Sequence, residues 1–204
     1  VRLWGGDRVI STSGVASNTT MGLFEGYASL KVWKGLWITA GRQQLVYDNK
    51  RLLGDRNWNQ NGISYDALVL KWSPANWSLH LGASWNTLNE SLSGNMYPPD
   101  RIKSYNFAWL NRKLSEHWSL SFLHIATGVT ETDTTPGLHF RQTSGFYTEY
   151  KDKNLQFWGN FYYQYGRNKS GKKLSAMLAD ADISYKSGVF RPGAGFGFLS
   201  GNSE

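Results

Sequence analysis

The sequence has 204 residues, a length typical of one domain, and its 22 basic and 15 acidic residues give a formal net charge of +7. Aromatic residues make up 15% of the chain, which excludes intrinsic disorder, and the lack of cysteine excludes disulfide scaffolds and Cys-ligated metal sites. No apolar run approaches the roughly 18 residues that a helix needs to cross a bilayer.

The two ends of the sequence are typical of a piece of a longer protein. Residues 1–4 lack the basic start and apolar centre of a secretory signal and read like the inside of a strand. The last five residues, 200–204, read like a strand that enters a loop. We therefore expect residues 1–204 to be part of a single domain of a longer chain.

Alternation of apolar and polar residues with a period of two recurs along the chain and predicts strands. It is clearest at residues 77–85, where Leu79, Leu81 and Ala83 fall on one face and His80 on the other. Residues 155–165, 177–185 and 190–198 repeat it, and no helical stripe of convincing length accompanies them. We count about eleven strands.

The connections between these strands alternate strictly between short and long. Tight turns are predicted near 34–35, 73–76, 115–117, 151–154 and 187–188, and longer polar stretches at 5–20, 46–61, 86–101, 128–139 and 167–172. Short turns at one end and long loops at the other are typical of bacterial outer-membrane barrels. The sequence therefore predicts an all-β, antiparallel, up-and-down transmembrane barrel.

Aromatic residues flank every predicted tight turn. At the membrane surface such rings form a girdle, because their amphipathic edges suit the level of the lipid headgroups. The alternative, packing in the core of a soluble β-protein, would place the rings in the middle of strands. The predicted girdle consists of Trp33, Trp37, Trp72, Trp77, Trp118, Tyr150, Tyr185 and Phe190.

One segment resembles a known family. Residues 41–54, which read GRQQLVYDNKRLLG, are followed by Trp58 and by Gly62 to Asp66. This order resembles the alginate export family of outer-membrane porins, in which a strand ends in Gly-Arg-Gln-(Gln/Glu)-Leu. A loop with Arg-Leu-(Leu/Ile)-Gly and an aromatic follows there, and the next strand opens with aromatic-Asp.

The resemblance implies a barrel of roughly eighteen strands in the complete protein and passive passage of a polymer or solute through an electropositive pore. It makes Arg42 the first candidate for a pore-lining cation, although Arg42 shares its face with Ile38 and Ala40. It also makes Asp66 a partner for a neighbouring arginine. The strand at residues 1–5, with Asp7, is similar to family material as well.

Charged residues on the predicted polar faces are the candidates for the pore lining. Together with Lys186 and Glu25, the predicted pore-lining residues comprise five positive and five negative side chains. This balance does not favour a pore that attracts anions. The net positive charge then belongs to loops that hold, for example, Lys50, Arg51, Lys169, Lys172 and Lys173. The predicted pore-lining residues are Lys31, Arg42, Asp66, Arg112, Glu149, Asp180, Asp182 and Arg191.

Enzymatic chemistry is not favoured, and we predict no cofactor. Of the histidines, His117 lies in a short turn, His80 alternates with serines, and His124 beside Ser121 is poorly placed for a nucleophile and its base. Asp180 and Asp182, with Glu149, could bind a cation, but salt bridges are the favoured interpretation. The loop at residues 48–51 is predicted to be a solvated turn. The dispersed basic residues argue against nucleic acid as a partner.

Two functional hypotheses remain. In the first, an integral outer-membrane porin lets hydrophilic solutes diffuse passively, including anionic saccharides, with Tyr27, Trp158 and Tyr162 as an aromatic track or as packing. In the second, the barrel is a structural or accessory subunit of a larger outer-membrane complex, and its lumen is plugged. The expected partners are the bilayer, lipopolysaccharide and a hydrophilic or saccharide solute, and in the second hypothesis other outer-membrane proteins.

Overall fold

The computed structural model describes residues 2–5, 8–11, 14–17, 21–55, 63–86, 101–132 and 137–201. Across these ranges the secondary structure consists of strands, and none of them contains a helix long and apolar enough to cross a membrane. The strands are β1 (Arg2–Gly5), β2 (Arg8–Ser11), β3 (Gly14–Ser17), β4 (Met21–Trp33), β5 (Leu36–Gln43), β6 (Ile63–Trp72), β7 (Trp77–Trp85), β8 (Ser104–Lys113), β9 (Trp118–Thr130), β10 (Leu138–Lys151), β11 (Leu155–Arg167), β12 (Lys173–Tyr185) and β13 (Gly193–Leu199).

The strands form one sheet that follows the chain. Its order is β1, β4 and then every strand in sequence to β13, and each neighbouring pair on this path is antiparallel. The short hairpin of β2 and β3 lies off the path, where β2 pairs in parallel with the start of β6. The predicted all-β, antiparallel, up-and-down fold is confirmed.

The predicted alternation of short and long connections holds from β4 to β12. The connections 34–35, 73–76, 114–117 and 152–154 join one end of the strands, and the longer connections 44–62, 86–103, 131–137 and 168–172 join the other end. The last connection, 186–192, lies at the end of the short ones but is longer than 168–172, and its tight turn is closed by a bridge between Ser187 and Phe190. Because the sheet is antiparallel, successive connections lie at opposite edges.

The two faces of the sheet differ in chemistry because side chains alternate along each strand. One face, which we call the apolar face, is exposed: Leu68 is 55% exposed, Phe161 48% and Phe196 61%. An extended exposed apolar surface is typical of contact with lipid or another protein. The opposite face, the inner face, holds buried side chains such as Val69 and Leu123.

Glycines on the inner face make room for large rings. Gly82 is the register partner of Phe107, and that ring occupies the space where a Cβ at position 82 would lie. Gly145 pairs with Tyr162, and a Cβ there would collide with the Phe161 carbonyl and the Tyr162 ring. These glycines therefore set how closely neighbouring strands and their rings pack.

The residues of the predicted aromatic girdle lie beside the short connections. Seven of the eight are exposed, Trp33 most of all at 74%, and Tyr150 is partly buried. Trp118 donates a hydrogen bond from Nε1 to the hydroxyl of Thr148 at 2.8 Å. Trp37 alternates with the buried Thr39 and so lies on the inner face, unlike Trp72 and Trp118. A role for these rings in the membrane stays a prediction.

Gly145→Ala tests the packing of the inner face. We expect it to lower the free energy of unfolding by about 1–3 kcal/mol, because the new methyl group meets backbone that cannot move aside easily. The measurement is urea unfolding of the intact protein in lipid vesicles. Gly159→Ala is the matched control, since its Cβ would meet neighbours at ordinary contact distances of 3.4 and 3.5 Å. Equal effects of both substitutions would contradict this account.

Candidate functional site on the inner face

The connection after β5 folds onto the inner face of the sheet. We call its described part, residues 44–55, the inward loop. Leu45 is 2% exposed and Leu53 is fully buried, and both belong to the core that contains Phe107, Leu123 and Tyr162 from β8, β9 and β11. The loop is therefore held by the same hydrophobic burial that holds the inner side of the sheet.

The end of β5 forms the base of this loop. Gly41 has a φ of +123°, and a Cβ there would lie 2.5 Å from the carbonyl oxygen of Gly26, so glycine is required at this position. Gln43 is 3% exposed and donates from Nε2 to the carbonyl of Ala67 at 3.1 Å. Gln44 donates from Nε2 to the carbonyl of Asp55, which ties the two ends of the loop together.

A bidentate ion pair links β5 to β6 beside this base. Arg42 donates from Nε and Nη2 to the two carboxylate oxygens of Asp66, at 2.8 and 2.6 Å, and from Nη1 to the carbonyl of Leu23 at 3.2 Å. The two residues are register partners. Two parallel charge-assisted hydrogen bonds fix the relative geometry of both strands at the point where the chain leaves the sheet.

Polar contacts anchor the tip of the inward loop. The Oδ1 atom of Asp48 accepts hydrogen bonds from Trp109 Nε1 at 2.9 Å and from the Ser121 hydroxyl at 2.6 Å. The Tyr47 hydroxyl and His80 Nδ1 are 3.1 Å apart and hydrogen-bonded. The tip is thus bound to β7, β8 and β9.

A final contact takes the loop across to β12. Arg51 Nε lies 3.4 Å from Asp180 Oδ2, with the arginine side chain 46% exposed and the aspartate 12% exposed. The inward loop therefore crosses the inner face from β7 to β12. The prediction that residues 48–51 form a solvated turn is wrong for Asp48, whose carboxylate is held by two strands. Lys50 is exposed and pairs with Asp55 at 3.0 Å.

Residues 41–54, which carry the family resemblance, have distinct structural roles in this arrangement. Gly41, Arg42, Gln43 and Gln44 shape the exit from β5, and the run at residues 51–54 supplies the contact to β12 and the buried Leu53. Trp58 and Gly62, which also carry the resemblance, lie outside the described residues, and so does Asp7.

The predicted pore-lining residues divide between the two faces. Glu149 alternates with the buried Tyr147, and Lys31 alternates with Ser29, whose hydroxyl bonds Thr39 at 2.9 Å. Asp180 contacts the inward loop, and Asp182 follows it on the same face. Arg191 lies in the connection between β12 and β13. The residues on the inner face are Lys31, Glu149, Asp180 and Asp182.

Arg42, Asp66 and Arg112 lie on the apolar face, and this corrects their assignment to the pore. Arg42 and Asp66 alternate with exposed apolar residues of β5 and β6. The guanidinium of Arg112 lies 4.8 Å from the ring centre of Trp77, its register partner, as a cation–π contact. The physical reason is the period of two along each strand, which the sequence already shows for Arg42.

Because Arg42, Asp66 and Arg112 lie on the apolar face, the charge of the inner face differs from the balance predicted from the sequence. Two rows of register partners cross β9 to β13: Ser121, Tyr147, Asn160, Asp180 and Gly197, and then Ser119, Glu149, Trp158, Asp182 and Gly195. From β9 to β13 these rows contain three carboxylates and no cationic side chain, but the second row continues to Lys113 of β8, the register partner of Ser119. Arg141, in register with Thr127, lies on the same face. The carboxylates are therefore concentrated between β10 and β12, with a cationic side chain at the β8 end of the second row.

The histidines are dispersed. His124 Nδ1 is 2.8 Å from the Ser144 hydroxyl on the apolar face, whereas Ser121 faces the inner side, so His124 and Ser121 cannot act as a pair. His117 lies 3.1 Å from the Lys151 carbonyl and His139 lies 3.6 Å from Glu131. In the described ranges no three His, Cys, Asp or Glu side chains converge as metal ligands.

Comparison with known proteins gives one family. The family profile described as alginate export matches residues 21–198, from the start of β4 into β13. No curated protein matches the sequence closely enough to count as a relative.

The burial of Asp48 makes docking of the inward loop sensitive to pH. Desolvation raises the pKa of the Asp48 carboxyl above its ordinary 3.8, and the hydrogen bonds from Ser121 and Trp109 only partly oppose it. The docked loop thus holds a proton more firmly than the released loop. We expect docking to strengthen as the pH falls through the raised pKa, with the gain complete below 3.8.

A spin label measures this effect independently of any transport. Residues 1–204 contain no cysteine, so Val46→Cys, which replaces a side chain that is 41% exposed, takes a single label on the loop. Label mobility is expected to fall between pH 7 and pH 4. Adding Asp48→Asn, which keeps an acceptor oxygen but cannot ionise, is expected to abolish the change. A pH response that survives Asp48→Asn would show that another group is responsible.

Proposed function

Because the chain belongs to the alginate export family, whose members have export and porin-like roles in the outer membrane, we propose that it forms part of an integral outer-membrane channel. Hydrophilic solutes, saccharides among them, pass through it passively. The observation that carries this proposal is the contrast between an exposed apolar face and an inner face crossed by the inward loop. Lipid covers the first face, and the second borders the water-filled path.

The inward loop sets the width of the path in this proposal. Its tip is anchored by Asp48 and its far side by Arg51, so it stands between the strands and any solute. A loop held by hydrogen bonds and buried leucines narrows the lumen without closing off the polar rows on β9 to β13. Selection by size and by hydrogen bonding follows, and neither a cofactor nor a catalytic step enters the mechanism.

The acidic rows affect which solutes suit the channel. Glu149, Asp180 and Asp182 repel a uronate polymer, and Arg51, Lys113 and Arg141 on the same face offset part of this charge. Neutral saccharides therefore suit this part of the inner face better than anionic ones. The flanking bilayer and lipopolysaccharide are the expected partners of the apolar face and of the aromatic girdle.

A second function has its own supporting observation. Leu45, Tyr47 and Leu53 form a continuous core with the inner face, which is how a plugged lumen would be packed. In that case the barrel is a structural or accessory subunit of an outer-membrane assembly, and its long loops are docking surfaces. The two functions differ in whether ions cross the membrane.

Conductance in a planar bilayer separates them. The intact protein is expected to give steady, ohmic current steps, because a channel narrowed by a loop remains permeable to water and small ions. Correct insertion is checked by the heat-dependent gel mobility that folded barrels show. An inserted but electrically silent barrel would overturn the channel and support the plugged subunit.

Asp48→Ala tests whether the inward loop sets the width. The change removes the acceptor of two charge-assisted hydrogen bonds, each worth about 1.5–3 kcal/mol, and leaves Trp109 and Ser121 without it. We expect larger or more frequently fluctuating current steps. Lys50→Ala, on the same loop, removes only an exposed ion pair and is expected to leave the steps unchanged. Unaltered steps in Asp48→Ala would contradict the assigned role.

A further inference from the structure

Four buried polar atoms lie unpaired beside the inward loop. They are Oδ2 of Asp48, Oδ1 and Nδ2 of Asn160, and Oδ1 of Asp180. Asn160 is only 6% exposed, and neither atom of its amide has a hydrogen-bond partner. A buried polar group without a partner costs about 1–3 kcal/mol, so a cluster of four calls for a ligand that pairs with them.

The backbone places these atoms together. Asn160 and Asp180 are register partners on β11 and β12, and directly opposite residues have their Cβ atoms about 4.5–5.5 Å apart. The two side chains therefore lie side by side on the inner face, where one hydroxyl group can contact both. Asp48 lies at the other end of the same row, because it is bound to Ser121, and Ser121, Tyr147, Asn160 and Asp180 are consecutive register partners. The loop that carries Asp48 also reaches Asp180 through Arg51.

The donor and acceptor pattern identifies the ligand. The cluster offers three acceptor oxygens and one donor nitrogen, and exchanging the two ends of the Asn160 amide changes neither number. Sugar hydroxyls can donate to the carboxylates and accept from the amide at the same time. The partly exposed ring of Trp158, one row away from Asn160 and in register with Asp182, offers a surface for the apolar face of a sugar, whereas the rings of Tyr147 and Tyr162 are buried.

Other classes of ligand fit less well. A metal ion would meet the N–H groups of Asn160 and the guanidinium of Arg51, 3.4 Å from Asp180. A uronate would bring its carboxylate to Asp48 and Asp180, with Glu149 and Asp182 in the next row. Like charges in a half-buried site repel each other strongly. The cluster thus favours an uncharged ligand rich in hydroxyl groups.

We propose that Asp48, Asn160 and Asp180 form a subsite for the hydroxyl groups of a neutral saccharide, with the side chain of Arg51 as its cover. Arg51 is suited to this because its side chain is 46% exposed and holds Asp180 through one contact of 3.4 Å. Its displacement uncovers Asp180 without unfolding the loop. The subsite rests on the proposed channel, because a solute reaches it through the lumen.

The test measures binding and current separately on the intact protein. Isothermal titration calorimetry in detergent with a neutral maltooligosaccharide reports the subsite even if no current flows, and block of single-channel current reports it in the channel. We expect Asn160→Ala to weaken the neutral sugar at least tenfold in calorimetry. Asn111→Ala, a matched asparagine of β8 in register with Ser121, is expected to change it less than twofold.

Each outcome decides one of the two proposals. Current without binding of the neutral sugar, or equal binding by wild type and Asn160→Ala, would overturn the subsite and leave the channel standing. Binding that Asn160→Ala abolishes, in a barrel that carries no current, would support the subsite and overturn the channel. Tighter binding of an oligouronate than of the neutral sugar, or displacement of the sugar by calcium chloride, would also overturn the subsite.

A second variant guards against loss of folding. Arg51→Gln removes the charge of the cover and none of the subsite atoms. It is expected to strengthen binding of the neutral sugar about threefold, since the ligand no longer displaces an ion pair. Weaker binding in Arg51→Gln, with heat-dependent gel mobility intact, would contradict the role of Arg51 as a cover.

Discussion

The strict alternation of side chains along antiparallel strands is the constraint on which the rest of this structure depends. Every backbone group of a strand must pair with its neighbours, so only the side chains distinguish the two faces of the sheet. Leu68, Phe161 and Phe196 are consequently exposed together on one face. Val69, Leu123 and Tyr162 are buried together on the other, where a loop covers them.

The inward loop converts this two-faced sheet into a site. Its leucines add to the core, and the carboxylate of Asp48 accepts hydrogen bonds from Trp109 and Ser121, which belong to two different strands. A buried carboxylate with two donors is oriented rigidly but keeps part of its desolvation cost. Buried leucines hold the loop in place, and its charged contacts respond to pH, as the proposed role in setting the width of the path requires.

The net charge of the chain does not predict the charge on each face of the sheet. The chain is basic as a whole, yet the two inner rows across β9 to β13 carry carboxylates, while Arg42 and Arg112 lie on the opposite face. Membership of the alginate export family gives the general transport role. In the proposed function, the local chemistry beside the loop favours hydroxyl-rich, uncharged solutes over the polyanions that the name of the family suggests.

The sequence by itself determined the all-β fold, the alternating short and long connections as far as β12, and the family, because these depend on local periodicity and on one contiguous motif. It also contained the parity that places Arg42 with Ile38 and Ala40. Only the tertiary structure decided that Asp48 is anchored on the inner face and that Asn160 lies beside Asp180. The reason is that both facts depend on the register between strands and on the path of a loop, which bring together residues 73 positions apart in the case of Asp48 and Ser121.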